Sequence, residues 1–191
     1  MTRDEALALV HEYTASEALR RHMYAVEVAM RAMAARQGAD PERWGLAGLL
    51  HDFDYERFPN AAHAATGEHP AEGVRILAAR GVDAEIQDAI LGHARYTGVP
   101  RTTPMARALF GVDELSGFLV ACALVRPSRS LADLAPASVR KKLKDKAFAR
   151  GVSREDVYQG AEELGMPLDE LISVLLEALR PEERRLGLGS A

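Results

Sequence analysis

The sequence predicts an all-α fold. Between its breakers, apolar residues recur at intervals of three and four, the period of one face of a helix and not the alternation of a strand. Capping residues and prolines stand where these stripes begin, and no convincing pair of strand-like segments, internal repeat or linker interrupts them.

Residues 4–13 and 16–36 read as helices, the second with Leu19, His22, Val26, Met30 and Met33 on one stripe. After a loop at 37–40, Asp40 caps a helix opened by Pro41 and Glu42, because a proline at the first helical position gives up an N–H that has no partner there. This helix carries Trp44, Ala47 and Gly48 toward His51 and ends near Asp52. A loop containing Pro59 leads to His69 and Pro70, where a helix starts that runs to about Ala79. Asp83 caps the next, with Ile86, Ala89, Ile90 and His93 at helical spacing, and residues 94–104 form a loop. Residues 105–126 read as a long helix, apolar nearly all round from Phe110 to Val125, which is the pattern of a helix central to a bundle. Pro127 stops it. Helices then follow over Ala137–Ala149, over Arg154–Leu164 behind Ser153 with Asp156 in a capping-box position, and over Leu168–Leu179 between Pro167 and Pro181. The terminal Gly-Leu-Gly-Ser-Ala tail is expected to fray.

At 191 residues, 48% hydrophobic and 27% charged, the chain suits one sizeable core and is not disordered, collagenous or low-complexity. One cysteine, Cys122, excludes a disulfide framework and a cysteine-based zinc site, and its place in the most apolar helix reads as a packed thiol. The N-terminus lacks the apolar segment of a secretory signal, and the longest apolar run, Gly117 to Val125, falls far short of the about 20 residues of a membrane span. The expectation is a cytoplasmic, single-domain protein, monomeric or homodimeric. The net charge of −4 is uneven: residues 140–150 carry +5, leaving −9 elsewhere, and all four lysines lie between Lys141 and Lys146. A duplex-binding protein shows a basic face over much of its domain, so no stable nucleic-acid partner is expected, whereas one basic spot suits a small anion. Glycine-rich nucleotide loops and a GxSxG elbow are absent.

The histidines carry the chemistry. His22 lies mid-stripe, His51 on the core side of its helix, His69 at a helix start and His93 near a helix end. Each alone is compatible with a core histidine bonded to a carbonyl. Asp52 follows His51 directly, and Asp113 interrupts the apolar run of the long helix, where a buried carboxylate needs a cation or a donor. A His-rich set with a few carboxylates favours Fe, Mn, Co, Zn or Ni, with Mg fitting a more open site.

The order His22, His51-Asp52, His69, His93, Asp113 resembles the HD superfamily of metal-dependent phosphohydrolases, over about residues 16–126. Residues 127–185 would be a C-terminal helical extension without a ligand of the pattern. In many members the dipeptide extends to HDIG, whereas here Phe53-Asp54 follows, a departure that touches the turn after the ligands and the subfamily. The resemblance implies that His22, His51, Asp52 and Asp113 hold a first metal. It also implies that His69 and His93 hold a second ion, bridged to the first by Asp52. Two divalent ions are therefore expected, Fe or Mn favoured, with Mg, Co, Ni or Zn also fitting. Ions about 3.5–4 Å apart share and activate a hydroxide while neutralising phosphoryl oxygens.

Some one-metal relatives use a carboxylate shortly after the HD pair, which makes Asp54 and Glu56 candidates for proton transfer beside Asp52; the bland alternative is a solvated loop with a local Glu56–Arg57 pair. Arg95 and Tyr96 are candidate substrate contacts or surface-loop residues. Lys142 and Lys146, one turn apart, and Arg126 either meet the substrate phosphate or belong to a solvated face. His11 and His63 fall outside the pattern and read as surface residues. The expected activity is hydrolysis of a nucleotide or another small phosphate ester. Two alternatives remain: a mixed-valent di-iron oxygenase, since some relatives oxidise organic substrates on the same six ligands, and a non-catalytic HD binding module.

Overall fold

The computed structural model describes residues 1–189. Those residues form nine α-helices joined by loops and three short 3-10 turns, without a strand among them. The helices are α1 (Arg3–Tyr13), α2 (Glu17–Gln37), α3 (Pro41–Leu50), α4 (Ala71–Ala79), α5 (Ala84–His93), α6 (Pro104–Leu124), α7 (Pro136–Leu143), α8 (Arg154–Glu163) and α9 (Leu168–Leu179). Their starts follow the capping chemistry of the sequence. Thr2 and Glu5 form a reciprocal capping box on α1, and Ser16, Asp40, Asp83, Thr103 and Ser153 each accept from a backbone N–H of the first turn they precede.

The long apolar helix α6 packs against α2, α3, α5, α7, α8 and α9, which explains why it is apolar on nearly every side. One hydrophobic cluster runs from Ala6 to Leu188, with Met23, Met30, Met33, Phe53, Leu109 and Phe118 fully buried. Each large side chain removed from water in this way contributes about 1.5–3 kcal/mol before the entropy cost of ordering it. Gly48 fixes how α2 and α3 meet: a Cβ at that position would lie 2.7 Å from the Val26 carbonyl oxygen, so the two backbones touch there. His22 lies four residues before Val26 and His51 three after Gly48. That close approach carries the two imidazoles to the same place.

Glu27 ties the chain ends to this core. Its buried carboxylate accepts from Arg3 near the N-terminus, from Arg31 one turn on, and from Arg185 near the C-terminus. Among the described residues, no helix is long and apolar enough to cross a membrane.

Two expectations need correction. The helix expected to reach Ala149 ends at Leu143, because the guanidinium of Arg154 takes the carbonyls of Asp145, Phe148, Ala149 and Val152 and wraps residues 144–152 around itself. The tail does not fray as far as it is described. Leu188 is buried, and Gly189 N donates to Arg129 O at 2.8 Å; Ser190 and Ala191 lie outside the described residues.

Candidate metal centre

Five elements converge on one point. α2 supplies His22 from its buried stripe, and the end of α3 supplies His51 and Asp52. The loop before α4 supplies His69, the last turn of α5 supplies His93, and the middle of α6 supplies Asp113.

The six side chains fall into two groups, His22–His51–Asp113 and Asp52–His69–His93, each with its donor atoms within 4.8 Å of one another. In the first, His22 Nε2 lies 3.2 Å from His51 Nε2 and 2.9 Å from Asp113 Oδ1, and His51 Nε2 lies 3.4 Å from that oxygen. In the second, Asp52 Oδ1 lies 3.3 Å from His69 Nε2 and 3.5 Å from His93 Nε2. Asp52 Oδ2 turns the other way, 3.3 Å from His51 Nε2 and 3.7 Å from His22 Nε2. One carboxylate thus gives one oxygen to each group. Donors bound to a common ion at about 2.1 Å stand about 3.0–3.4 Å apart in octahedral or tetrahedral arrangements; most of these spacings fall in that range, and the His22–Asp52 distance of 3.7 Å is the longest.

The other ring nitrogens hold the imidazoles in place. His51 Nδ1 donates to Gly48 O at 2.8 Å, His93 Nδ1 to Ile90 O, and His69 Nδ1 to Asp54 Oδ1 at 2.7 Å. A proton held on Nδ1 leaves the Nε2 lone pair free, which is the usual orienting arrangement behind a ligating histidine. Asp54 is itself held: its Oδ2 accepts from Gly73 N at 2.7 Å, and a Cβ at position 73 would come within 2.6 Å of the carboxylate carbon. Only glycine leaves room for that bond.

Burial alone would raise Asp52 and Asp113. The facing imidazoles outweigh it, chiefly His51, with His93 acting on Asp52 and His22 on Asp113, and hold both far below the usual carboxylate range. Burial would likewise lower His51 and His93, and the two carboxylates raise both instead. Neither Asp52 nor Asp113 pairs with a lysine or arginine among the described residues; their only partners are imidazoles. A divalent metal fits this set by taking the place of the imidazole protons beside the two carboxylates, since no lysine or arginine stands against them.

The cluster forms one end of a cavity of about 800 Å³, walled by Tyr55, Asn60, His63, Arg95, Tyr96 and Glu114, with Gly151, Ser153 and Asp156 from the C-terminal part of the chain. Arg95 reaches the cavity with its guanidinium paired to Glu155 and Asp156. Tyr96 donates to His69 O at 3.2 Å, and burial, then the Asp52 charge, push its phenol up to about 12. His63, read from sequence as a surface residue, is exposed but stacks on Tyr96 with ring centres 4.8 Å apart and lines the cavity. His11 stays exposed, bonded to Tyr24.

The other expectations from sequence fare differently. Asp54 spends both oxygens on His69 and Gly73, so it orients the His69 ring and is not free to carry a proton to substrate. Glu56 points away, its Oε2 accepting from Ala15 N and Ser16 N at the start of α2. No Glu56–Arg57 pair forms, for Arg57 donates to Glu12 O and lies over the Tyr13 ring. Lys142 and Arg126 line a separate depression and Lys146 another, so none of the three lines the metal cavity. Asn60, Glu114 and Asp156 also line the cavity, a role the sequence reading assigns to none of them. Glu114 left a signal, a second acid beside Asp113 in an apolar helix; burial and the Asp113 charge push it up to about 8. Asn60 left none, since its loop-tying bonds to Ala64 and His69 exist only once the loop is closed.

No curated protein and no solved structure matches the chain. The family model described as the HD domain matches residues 19–117, more than half of the chain and a span that contains all six clustered side chains.

Proposed function

The chain belongs to the HD-domain family, and from that premise we propose that it is a metal-dependent phosphohydrolase acting on a nucleotide or another small phosphate ester. The observation that carries the reading is the division of Asp52, one oxygen toward His22 and His51 and the other toward His69 and His93. His22, His51 and Asp113 would hold one divalent ion, and His69 and His93 a second, with Asp52 common to both. When bound, such ions supply Lewis-acid polarisation of a phosphoryl oxygen and an acidified water.

The chain's own residues do the remaining work. Gly48 O, Ile90 O and Asp54 keep the Nδ1 protons of three imidazoles and so keep their Nε2 atoms turned inward. Arg95 stands at the cavity wall paired to Glu155 and Asp156, and would orient an anionic group by exchanging one of these carboxylates for it. The His63–Tyr96 stack and Tyr55 offer ring faces to a planar part of the substrate. The reading goes with a cytoplasmic monomer or homodimer that needs neither a membrane nor a stable nucleic-acid partner.

The test is phosphate release by protein loaded with Mn or Fe, across nucleoside mono-, di- and triphosphates and sugar phosphates, with Asp52→Ala as the control. Hydrolysis that disappears in Asp52→Ala supports the proposal. Metal-loaded protein that releases phosphate from none of them contradicts it. A mixed-valent di-iron resonance with substrate-dependent oxygen uptake would move the assignment to the oxygenase class on the same ligands.

A further inference from the structure

Two of the cations that miss the metal cavity, Arg126 and Lys142, meet elsewhere. Arg126, just beyond α6, and Lys141 and Lys142, in the last turn of α7, line a depression of about 570 Å³ that shares no residue with the cavity. Asp113 and the end of α6 at Leu124 are about 16 Å apart along the helix axis, which sets the two openings at different levels of that helix. Val125, 58% exposed, and Pro127 form an apolar wall, and the buried thiol of Cys122 contributes to the floor.

The charges there are unbalanced. Asp145 is the one carboxylate in the lining, 3.8 Å from Lys142 Nζ, and neither Arg126 nor Lys141 makes an ion pair among the described residues. Burial pushes the Cys122 thiol up to about 11, so it stays neutral and supplies no counter-charge. Three cations around one concavity repel one another, and an anion between them relieves that repulsion. The sequence marks the same place: a chain that otherwise uses arginine keeps all its lysines at 141–146. A compact ammonium on a flexible stem serves phosphate as a point charge, and arginine adds a fork of donors.

We propose that Arg126, Lys141 and Lys142 form a second anion site, separate from the metal cavity, that takes the phosphoryl or pyrophosphoryl group of a small organic molecule whose apolar part rests on Val125 and Pro127. A concave site with an apolar wall favours such a molecule over a flat membrane surface. The proposal does not depend on the reaction assigned to the metal centre.

Inorganic pyrophosphate, titrated into the full chain and followed by backbone amide shifts, tests it. The expected shifts fall at Val125, Ser138 and Lys141, persist in Asp52→Ala, and weaken as sodium chloride is added. Arg126→Gln combined with Lys142→Gln should weaken binding about tenfold or more, and Asp145→Asn should tighten it. Shifts confined to the metal cavity, loss of binding in Asp52→Ala, unchanged affinity in the double variant, or no shift at millimolar pyrophosphate each overturn the site. Should the double variant fold poorly, Asp145→Asn decides alone, and unchanged or weaker binding counts against the proposal.

Discussion

Replacing Asp54 with asparagine changes one atom and asks whether a buried hydrogen bond keeps His69 in ligating form. The carboxylate accepts from two donors at 2.7 Å, His69 Nδ1 and Gly73 N. An asparagine can accept on one side only. If its oxygen keeps the Gly73 N–H, its amide group faces His69 Nδ1, and the imidazole proton must move to Nε2. That proton then points at Asp52 Oδ1, 3.3 Å away, where it makes a good hydrogen bond and blocks metal ligation. Loss of such an orienting partner costs about 10–100-fold in metal affinity, or about 1.4–2.8 kcal/mol. Asp54→Ala differs: it strands two buried donors at about 1–3 kcal/mol each and should lower the melting temperature as well. Chelator competition on Mn-loaded protein reads the affinity, and imidazole nitrogen shifts in metal-free protein read the tautomer. The expected Asp54→Asn protein keeps its first ion, loses affinity for the second and carries its His69 proton on Nε2. Both ions held at wild-type affinity with the proton still on Nδ1 would refute the reasoning.

Glu56→Ala removes the acceptor for Ala15 N and Ser16 N at the start of α2; it should cost about 0.5–2 kcal/mol in a denaturant melt and leave kcat within about twofold. A hundredfold loss of kcat at unchanged stability would return Glu56 to proton transfer. Glu27→Gln should destabilise the fold by about 3 kcal/mol at neutral pH, because Arg3, Arg31 and Arg185 lose their shared carboxylate. Burial would raise the Glu27 carboxyl, but the hydrogen bond from Arg3 and the charge of Arg185 hold it below its ordinary value. Its stabilisation is therefore complete above the unfolded pKa of about 4.3 and is lost as pH falls through the lower folded value. The gap between wild type and Glu27→Gln in urea melts should close toward pH 3, and a gap that widens there would contradict the assignment. Gly48→Ala places a Cβ 2.7 Å from Val26 O and should cost about 1–3 kcal/mol as α2 and α3 part, read as a lower melting temperature.

Much of the fold is legible because its signals are local. Asp40 with Pro41, Asp83, Ser153, and the proline pair around Leu168–Leu179 each mark a helix boundary within a few residues of where it falls. α7 escapes because its end is decided by a side chain outside it, the Arg154 guanidinium that draws off the carbonyls of residues 145–152. The tail escapes for a similar reason, its Gly189 N–H bonding to Arg129 far back in the chain. At the candidate metal centre, the residue types and their order can be read because a metal site demands imidazoles and carboxylates whatever surrounds them. Roles beyond ligation cannot. Asp54 and Glu56 are two residues apart and chemically alike, yet one turns in to His69 and the other out to the start of α2. The direction of Lys142 and Lys146 depends equally on where α7 stops, and the sequence places that stop six residues late.

The central claim is that Asp52 joins two metal sites through its two oxygens. Elemental analysis of metal-loaded, chelator-free protein, compared across wild type, His69→Ala and Asp52→Ala, tests it most directly. Two ions per chain in wild type, one in His69→Ala and none tightly held in Asp52→Ala are predicted. An Asp52→Ala protein that still holds two ions per chain would contradict it.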